Sequence, residues 1–248
     1  MNSIIKISNL SKSYYTSKEE IQALKNISFE IKKGEFISII GPSGCGKSTL
    51  LSIIGNLEDK TSGKITKESN LKIGYMFQTD TLLDWLNVLD NCLLGLSISK
   101  QLTNKTKQKA INYLNKYGLK EFIYAYPRQL SGGMRQRVAL IRTLMLSPDI
   151  ILLDEAFSAL DYQSRLKVSN DVYTILKEEN ITTIMVTHDI AEAISMSDKV
   201  IVLSKRPATI KHIYPIKLEN LSTPINNRKD KQFNYYFDLL WEELDKDE

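Results

Sequence analysis

The chain has 248 residues, 42% of them hydrophobic and 25% charged, with a formal net charge of +4; that is length enough to bury a substantial core, at a composition ordinary for a globular protein. No apolar run approaches the ~20 residues that cross a bilayer, the first residues lack the apolar stretch of a signal peptide, and Cys45 and Cys92 make neither a disulfide framework nor a metal site, so a protein made and kept in the cytoplasm is expected. The lysines are scattered and form no concentrated basic face with interleaved aromatics, which argues against a nucleic-acid partner.

Residues 4–8 and 27–31 alternate as half-buried strands do. The apolar run 35–40 reads as a buried strand, and 47–56 reads as a helix with Leu50, Leu51, Ile53 and Ile54 on its buried side. Between them lies Gly41-Pro42-Ser43-Gly44-Cys45-Gly46-Lys47-Ser48-Thr49, which fits the phosphate-cradling pattern G-x-x-x-x-G-K-[ST]. Its glycines let backbone N–H groups converge on an anion at a helix N-terminus, where helix dipole and unpaired donors both favour negative charge. Lys47 should reach the β- and γ-phosphates and the Ser48 hydroxyl should ligate Mg²⁺. Cys45 needs only to be small here.

Residues 72–77 form another strand ending at Gln78, and about 79–147 turn helical, an inserted subdomain in which Cys92 is a core residue. Within it Leu130-Ser131-Gly132-Gly133-Met134-Arg135-Gln136-Arg137 is a loop running into a helix. Ser131 suits the N-cap, and Gly132 and Gly133 bare backbone N–H groups at a second anion-binding helix start. The apolar run 150–153 delivers Asp154 and Glu155 to the C-terminal edge of a strand, where open α/β sheets bind ligands. The runs 182–186 and 199–203, separated by helical stretches, complete a parallel, helix-covered sheet. His188 follows 182–186 directly; His212 has no such context and is expected at the surface. The tail, about 205–248, holds strands and an amphipathic helix with Phe233, Tyr236, Phe237, Leu240, Trp241 and Leu244 on one face, read as docking on its own domain.

The phosphate loop, the Ser131-Gly132-Gly133 motif and Asp154-Glu155, in that order, resemble the nucleotide-binding subunit of an ATP-binding cassette (ABC) transporter, over about residues 4–213. The resemblance implies an α/β fold: a P-loop NTPase parallel-sheet core with an N-terminal antiparallel β subdomain and an inserted helical subdomain, all in one ATPase domain spanning 1–248. ATP and Mg²⁺ are the implied ligands. Residues 41–49 would hold phosphate, Tyr14 would stack on adenine (Tyr15 beside it leaves the register open), and Ser48, Gln78 and Asp154 would hold the metal. Glu155 would deprotonate the attacking water, Gln78 would contact Mg²⁺ and water and report the nucleotide state to the membrane subunit, and His188 would contact the γ-phosphate. Ser131, Gly132 and Gly133 would serve the ATP of a second copy, and Asp161, in Ser158-Ala159-Leu160-Asp161, would couple the two sites across a homodimer.

Residues 82–91 resemble the start of the helical subdomain in importer ATPases for nitrate, sulfonate and taurine, although Asp84 stands where that pattern has proline. Trp85 is either a contact for the membrane subunit or a core residue. The segment 202–210, with Arg206-Pro207, resembles the same group. The function so implied is ATP hydrolysis powering import of a small solute. The partners are integral-membrane permease subunits and, indirectly, a solute-binding protein, with the subunit on the cytoplasmic face of the membrane. An exporter or lipoprotein-release ATPase would keep the same motifs. A soluble cassette protein of translation or DNA repair usually carries two cassettes or a long insertion, and a non-catalytic module would not need Glu155, Gln78 and His188.

Overall fold

The computed structural model describes residues 3–15, 17, 19–219 and 222–245. Two sheets organise it. The first is antiparallel, in the order β2-β1-β4, built from β1 (Ser3–Tyr15), β2 (Glu20–Lys32) and β4 (Ser62–Lys67). β4 was not foreseen: only Ile65 along it is apolar and its residues are largely exposed, so an alternation signal is missing. The second sheet has the order β5-β6-β7-β3-β8-β9, from β3 (Phe36–Ile40), β5 (Ile73–Met76), β6 (Ile150–Asp154), β7 (Thr182–Val186), β8 (Lys199–Leu203) and β9 (Ile210–Pro215). All are parallel except the edge strand β9.

The central strands carry apolar side chains on both faces because both faces are covered, with Ser38 of β3 and Thr182 and Thr183 of β7 as buried polar exceptions. Successive side chains point to opposite faces: Ile37, Ile39, Ile150 and Leu152 pack towards the antiparallel sheet and α1 (Lys47–Ile54), while Phe36, Ile151 and Leu153 pack towards the other helices. Those are α2 (Val88–Ile98), α3 (Asn104–Lys116), α4 (Gly132–Leu144) and α5 (Tyr162–Glu178). α4 touches the sheet itself: a Cβ on Gly74 of β5 would lie 2.4 Å from Thr143 Cγ2. A third cluster joins β8 to α6 (Ile190–Met196) and α8 (Lys231–Asp245), with the short α7 (Pro224–Asn227) between them. Phe233 and Leu240 of α8 are buried and Tyr236, Phe237 and Leu244 pack against the cluster, but Trp241 is 57% exposed. The tail docks on its own domain, with Trp241 turned off the buried face.

The helical stretch expected from residue 79 begins only at Val88, capped by Asn87, whose side chain accepts from Asp90 N. Residues 79–87 are irregular and are held by longer-range contacts. Asn91 is fully buried; its carbonyl accepts from Leu83 N at 2.8 Å and its amide donates to the carbonyls of Leu83, Leu86 and Asn87 at 3.0–3.1 Å. Trp85 at the tip of this segment is 73% exposed, which removes it from the core. His212 is exposed, as expected.

Two buried polar side chains give checks on this packing. Asn91→Ala strands several backbone groups, so it should destabilise by about 3 kcal/mol and open 83–87 to protease; equilibrium urea unfolding and limited proteolysis measure both. Glu192 of α6 is 4% exposed, accepts from Thr187 Oγ1 at 2.8 Å, and leaves its second oxygen without a partner. Burial, then the charge of Asp189, pushes its carboxyl up to about 7 from 4.5, against the pull of Thr187, Arg165 and Arg228. Between those values the folded state binds the extra proton, so stability falls as pH rises from about 4.5 to about 7 and is level above. Glu192→Gln should therefore be more stable than the parent at pH 8, by up to about 3 kcal/mol, with the advantage shrinking towards pH 5 in parallel urea titrations.

Candidate nucleotide site

β3 runs directly into the loop 41–46, which turns back into α1. Gly44 (φ 70°) and Gly46 (φ 119°) take backbone conformations that glycine reaches without a Cβ clash. A Cβ on Gly46 would meet Leu24 Cδ2 at 3.0 Å, so β2 presses on the loop from outside. Gly46 is the N-cap of α1 and supplies no side-chain cap, leaving the first helical N–H groups to face an anion. Pro42 accepts from Cys45 N at 3.3 Å, closing the loop's turn. Cys45 is 2% exposed, and burial pushes its thiol up; it packs as a small core side chain.

Lys47 is buried, and its Nζ donates to the carbonyls of Gly41 and Pro42 at 2.9 and 3.0 Å. Ser48 Oγ donates to Asp154 Oδ1 at 2.8 Å, tying α1 to the end of β6. The other Asp154 oxygen accepts from Tyr75 Oη at 2.9 Å. Burial, with Asp154 adding to it, holds the Tyr75 phenol well above its ordinary range, so it stays a donor. Tyr75 was not foreseen: along the strand it reads as one more aromatic, and only the β5–β6 register, Tyr75 opposite Leu152, brings it to Asp154.

Glu155 takes a left-handed backbone conformation (φ 47°), a strained choice for a non-glycine residue, of the kind that collects at functional sites. Its N–H donates to Val186 O at 2.9 Å, and its Oε2 lies 3.3 Å from His188 Nδ1. Ser158 Oγ donates to the Glu155 carbonyl at 2.9 Å and accepts from Gln78 Nε2 at 3.1 Å, so Gln78 reaches the Glu155 turn through one hydroxyl. Beyond Gln78, Arg135 of α4 grips Asp80 at 2.7 and 3.1 Å, and Arg142 bonds the carbonyls of Asp80 and Thr81 at 2.8 and 2.7 Å. Burial opposes ionisation of Asp80, but the Arg135 guanidinium prevails and holds its carboxyl below the usual range.

A cavity of about 560 Å³ brings Ser43, Lys47, Ser48 and Thr49 together with Glu155, His188 and Arg206. Tyr14 stands beside it, its hydroxyl 3.2 Å from Thr49 Oγ1, whereas Tyr15 is 70% exposed. Gly44 and Gly46 line the cavity as well, whereas Ser131, Gly132, Gly133 and Asp161 are not on its walls. Ser131 caps α4, accepting from Met134 N at 3.4 Å. A Cβ on Gly132 would lie 2.8 Å from Leu160 Cδ2 and one on Gly133 2.7 Å from Val168 Cγ2, so glycine is needed there for close packing. Asp161 caps α5 through Ser164 N at 3.0 Å. One chain therefore presents a complete phosphate loop with its carboxylates, and a second helix start, capped by Ser131, that is not on the walls of that cavity.

Residues 24–158 match the family model described as ABC transporter. The chain is 44% identical over 249 residues to YtlC, an ABC transporter ATP-binding protein of Bacillus subtilis, covering 98% of this chain and 96% of that one. It is 38% identical over 229 residues to the aliphatic sulfonates import ATP-binding protein SsuB of Bacillus anthracis, covering 90% and 88%. Among solved structures, the dimeric post-hydrolysis state of the ATP-binding cassette MJ0796 bound to ADP and Pi is similar at a TM-score of 0.73 and 35% identity, covering 86% of this chain and 99% of that one. A phosphate loop after one parallel strand, stitched through Ser48 to the end of another, β6, together with these relatives over nearly the whole length, makes this chain a member of the ABC transporter family, an ATP-binding subunit that hydrolyses ATP.

Proposed function

We propose that the chain is the ATPase of an importer for a small solute of the sulfonate, taurine and nitrate type, working as a homodimer on the cytoplasmic face of a membrane. The importer reading rests on the likeness to SsuB. Homodimerisation is supported by a complete phosphate loop and an outward-facing Ser131–Gly133 start on the same chain, and by the dimeric state of the similar MJ0796 cassette. Among the described residues no helix is long and apolar enough to cross a membrane, so integral-membrane permease subunits would form the path and a solute-binding protein would act through them. Trp85, exposed within the irregular segment 79–87, offers such a permease a surface to seat on.

In this reading Lys47 and the loop N–H groups hold the β- and γ-phosphates, and Tyr14 lies against the adenine. Water attacks the γ-phosphorus as its bond to the β,γ-bridging oxygen breaks, giving ADP and phosphate. Glu155 takes the proton from that water and passes it to the departing phosphate. His188, 3.3 Å from Glu155, orients the carboxylate, and Gln78 holds the same turn through Ser158. Ser131, Gly132 and Gly133 of the second copy close over the γ-phosphate, and Asp161 sits between the two sites. Ser48, Asp154 and Gln78 would hold Mg²⁺. The residues fit: the Ser48 hydroxyl and an Asp154 oxygen already lie 2.8 Å apart, hard oxygen donors of the kind that magnesium takes beside phosphate and water. When bound, Mg²⁺ neutralises charge on the phosphate oxygens.

Glu155→Gln should lower ATP turnover about 100-fold or more while ATP still binds and promotes dimerisation, read by phosphate release and by light scattering with ATP; near-normal turnover would remove the base. Lys47→Ala should abolish measurable ATP binding in calorimetry. In vesicles bearing the permease and binding protein, ATPase activity should rise with an external sulfonate and not with an exported lipoprotein; the reverse would favour the export reading.

A further inference from the structure

The segment after β8 is held in place from two sides. Ala208 is fully buried and pairs with β2, its N–H donating to Ala23 O at 2.9 Å and its carbonyl accepting from Lys25 N at 2.8 Å. Ser204 and Thr209 close the turn, with Ser204 N donating to Thr209 O at 2.9 Å and Thr209 N donating to Ser204 Oγ at 2.9 Å. At its start, Leu203 O would lie 2.9 Å from a Cβ placed on Gly41, so the segment abuts the phosphate loop. Between these anchors Arg206 reaches over the loop and donates from Nη2 to Gly44 O at 2.6 Å. It lines the cavity that holds Lys47, Glu155 and His188. Among the described residues it makes no ion pair.

A guanidinium carries five donors in a fixed fork and suits phosphate oxygens. One donor is used on Gly44. The charge stands on the wall of an anion cavity with no carboxylate paired to it, and its backbone is braced by β2 and by the 204–209 turn. We propose that Arg206 is a further nucleotide-binding residue, contacting the phosphates of bound ATP while its bond to Gly44 keeps the loop in register. The inference rests on the reading that this cavity is the ATP site.

The test is equilibrium titration of ATP, and separately of inorganic tripolyphosphate, in a Glu155→Gln background at low and high salt. Arg206→Met should weaken both ligands about tenfold at low salt, and the deficit should shrink at high salt as the charge is screened. Arg206→Lys should recover part of the loss. A deficit that is the same at both salt concentrations, or absent, would overturn the proposal, because a loop brace acting through Gly44 alone carries no charge dependence. Lys47→Ala in the same assay separates the two readings. If it loses ATP while Arg206→Met does not, only the Arg206 assignment fails; if neither variant loses affinity, the ATP site itself is misplaced.

Discussion

Everything at the site depends on the register of four parallel strands. Ile39 of β3 and Asp154 of β6 both pair with Val186 of β7, and Ile40 pairs with Val202 of β8. The residues just past these pairs are consequently neighbours: the loop from Gly41, the turn at Glu155, Thr187-His188 and the segment from Leu203. A slip of one residue would turn each strand's side chains to the opposite face. Both faces are packed against clusters built for one alternation, so the slip is forbidden by the whole core.

On that frame the polar groups hold one another. Asp154 is gripped from two elements, by Ser48 from α1 and by Tyr75 from β5, so its carboxylate is fixed from both sides. Lys47 is kept inside its loop by two carbonyls, which orient a buried cation at modest desolvation cost. Two features work against stability: Glu155 sits in a strained backbone region, and Glu192, in the first turn of α6 just after β7, leaves a buried oxygen unpaired. Strain of this kind, of order 1–3 kcal/mol per residue, persists where neighbouring contacts over-determine the geometry. At Glu155 those contacts are its N–H to Val186 and the Ser158 hydroxyl on its carbonyl.

What could be read along the chain was what is written in consecutive residues. The glycine loop, the Ser131 cap and the carboxylate pair after an apolar run each draw on local backbone chemistry, and the parallel core follows from short apolar or β-branched runs separated by helical stretches. β4 escaped because an exposed edge strand has no alternation to show. The 79–87 segment escaped because Asn91, Arg135 and Arg142 shape it from a distance. Trp85 and Trp241 illustrate the same limit: an aromatic in an apolar pattern can still face outwards, and only packing decides. Tyr75 and Arg206 were written plainly in the chain, but register and a neighbouring turn give them their partners.

The glycines at 132 and 133 have a mechanical meaning. With Leu160 and Val168 already at contact distance from where a β-carbon would stand, the start of α4 is geared to the turn that follows Glu155 through Leu160 and to α5 through Val168. Dense interiors transmit displacement instead of absorbing it. The outward-facing helix tip and the strained glutamate therefore cannot shift independently, and a disturbance felt at one is delivered to the other through side chains without a hinge in between.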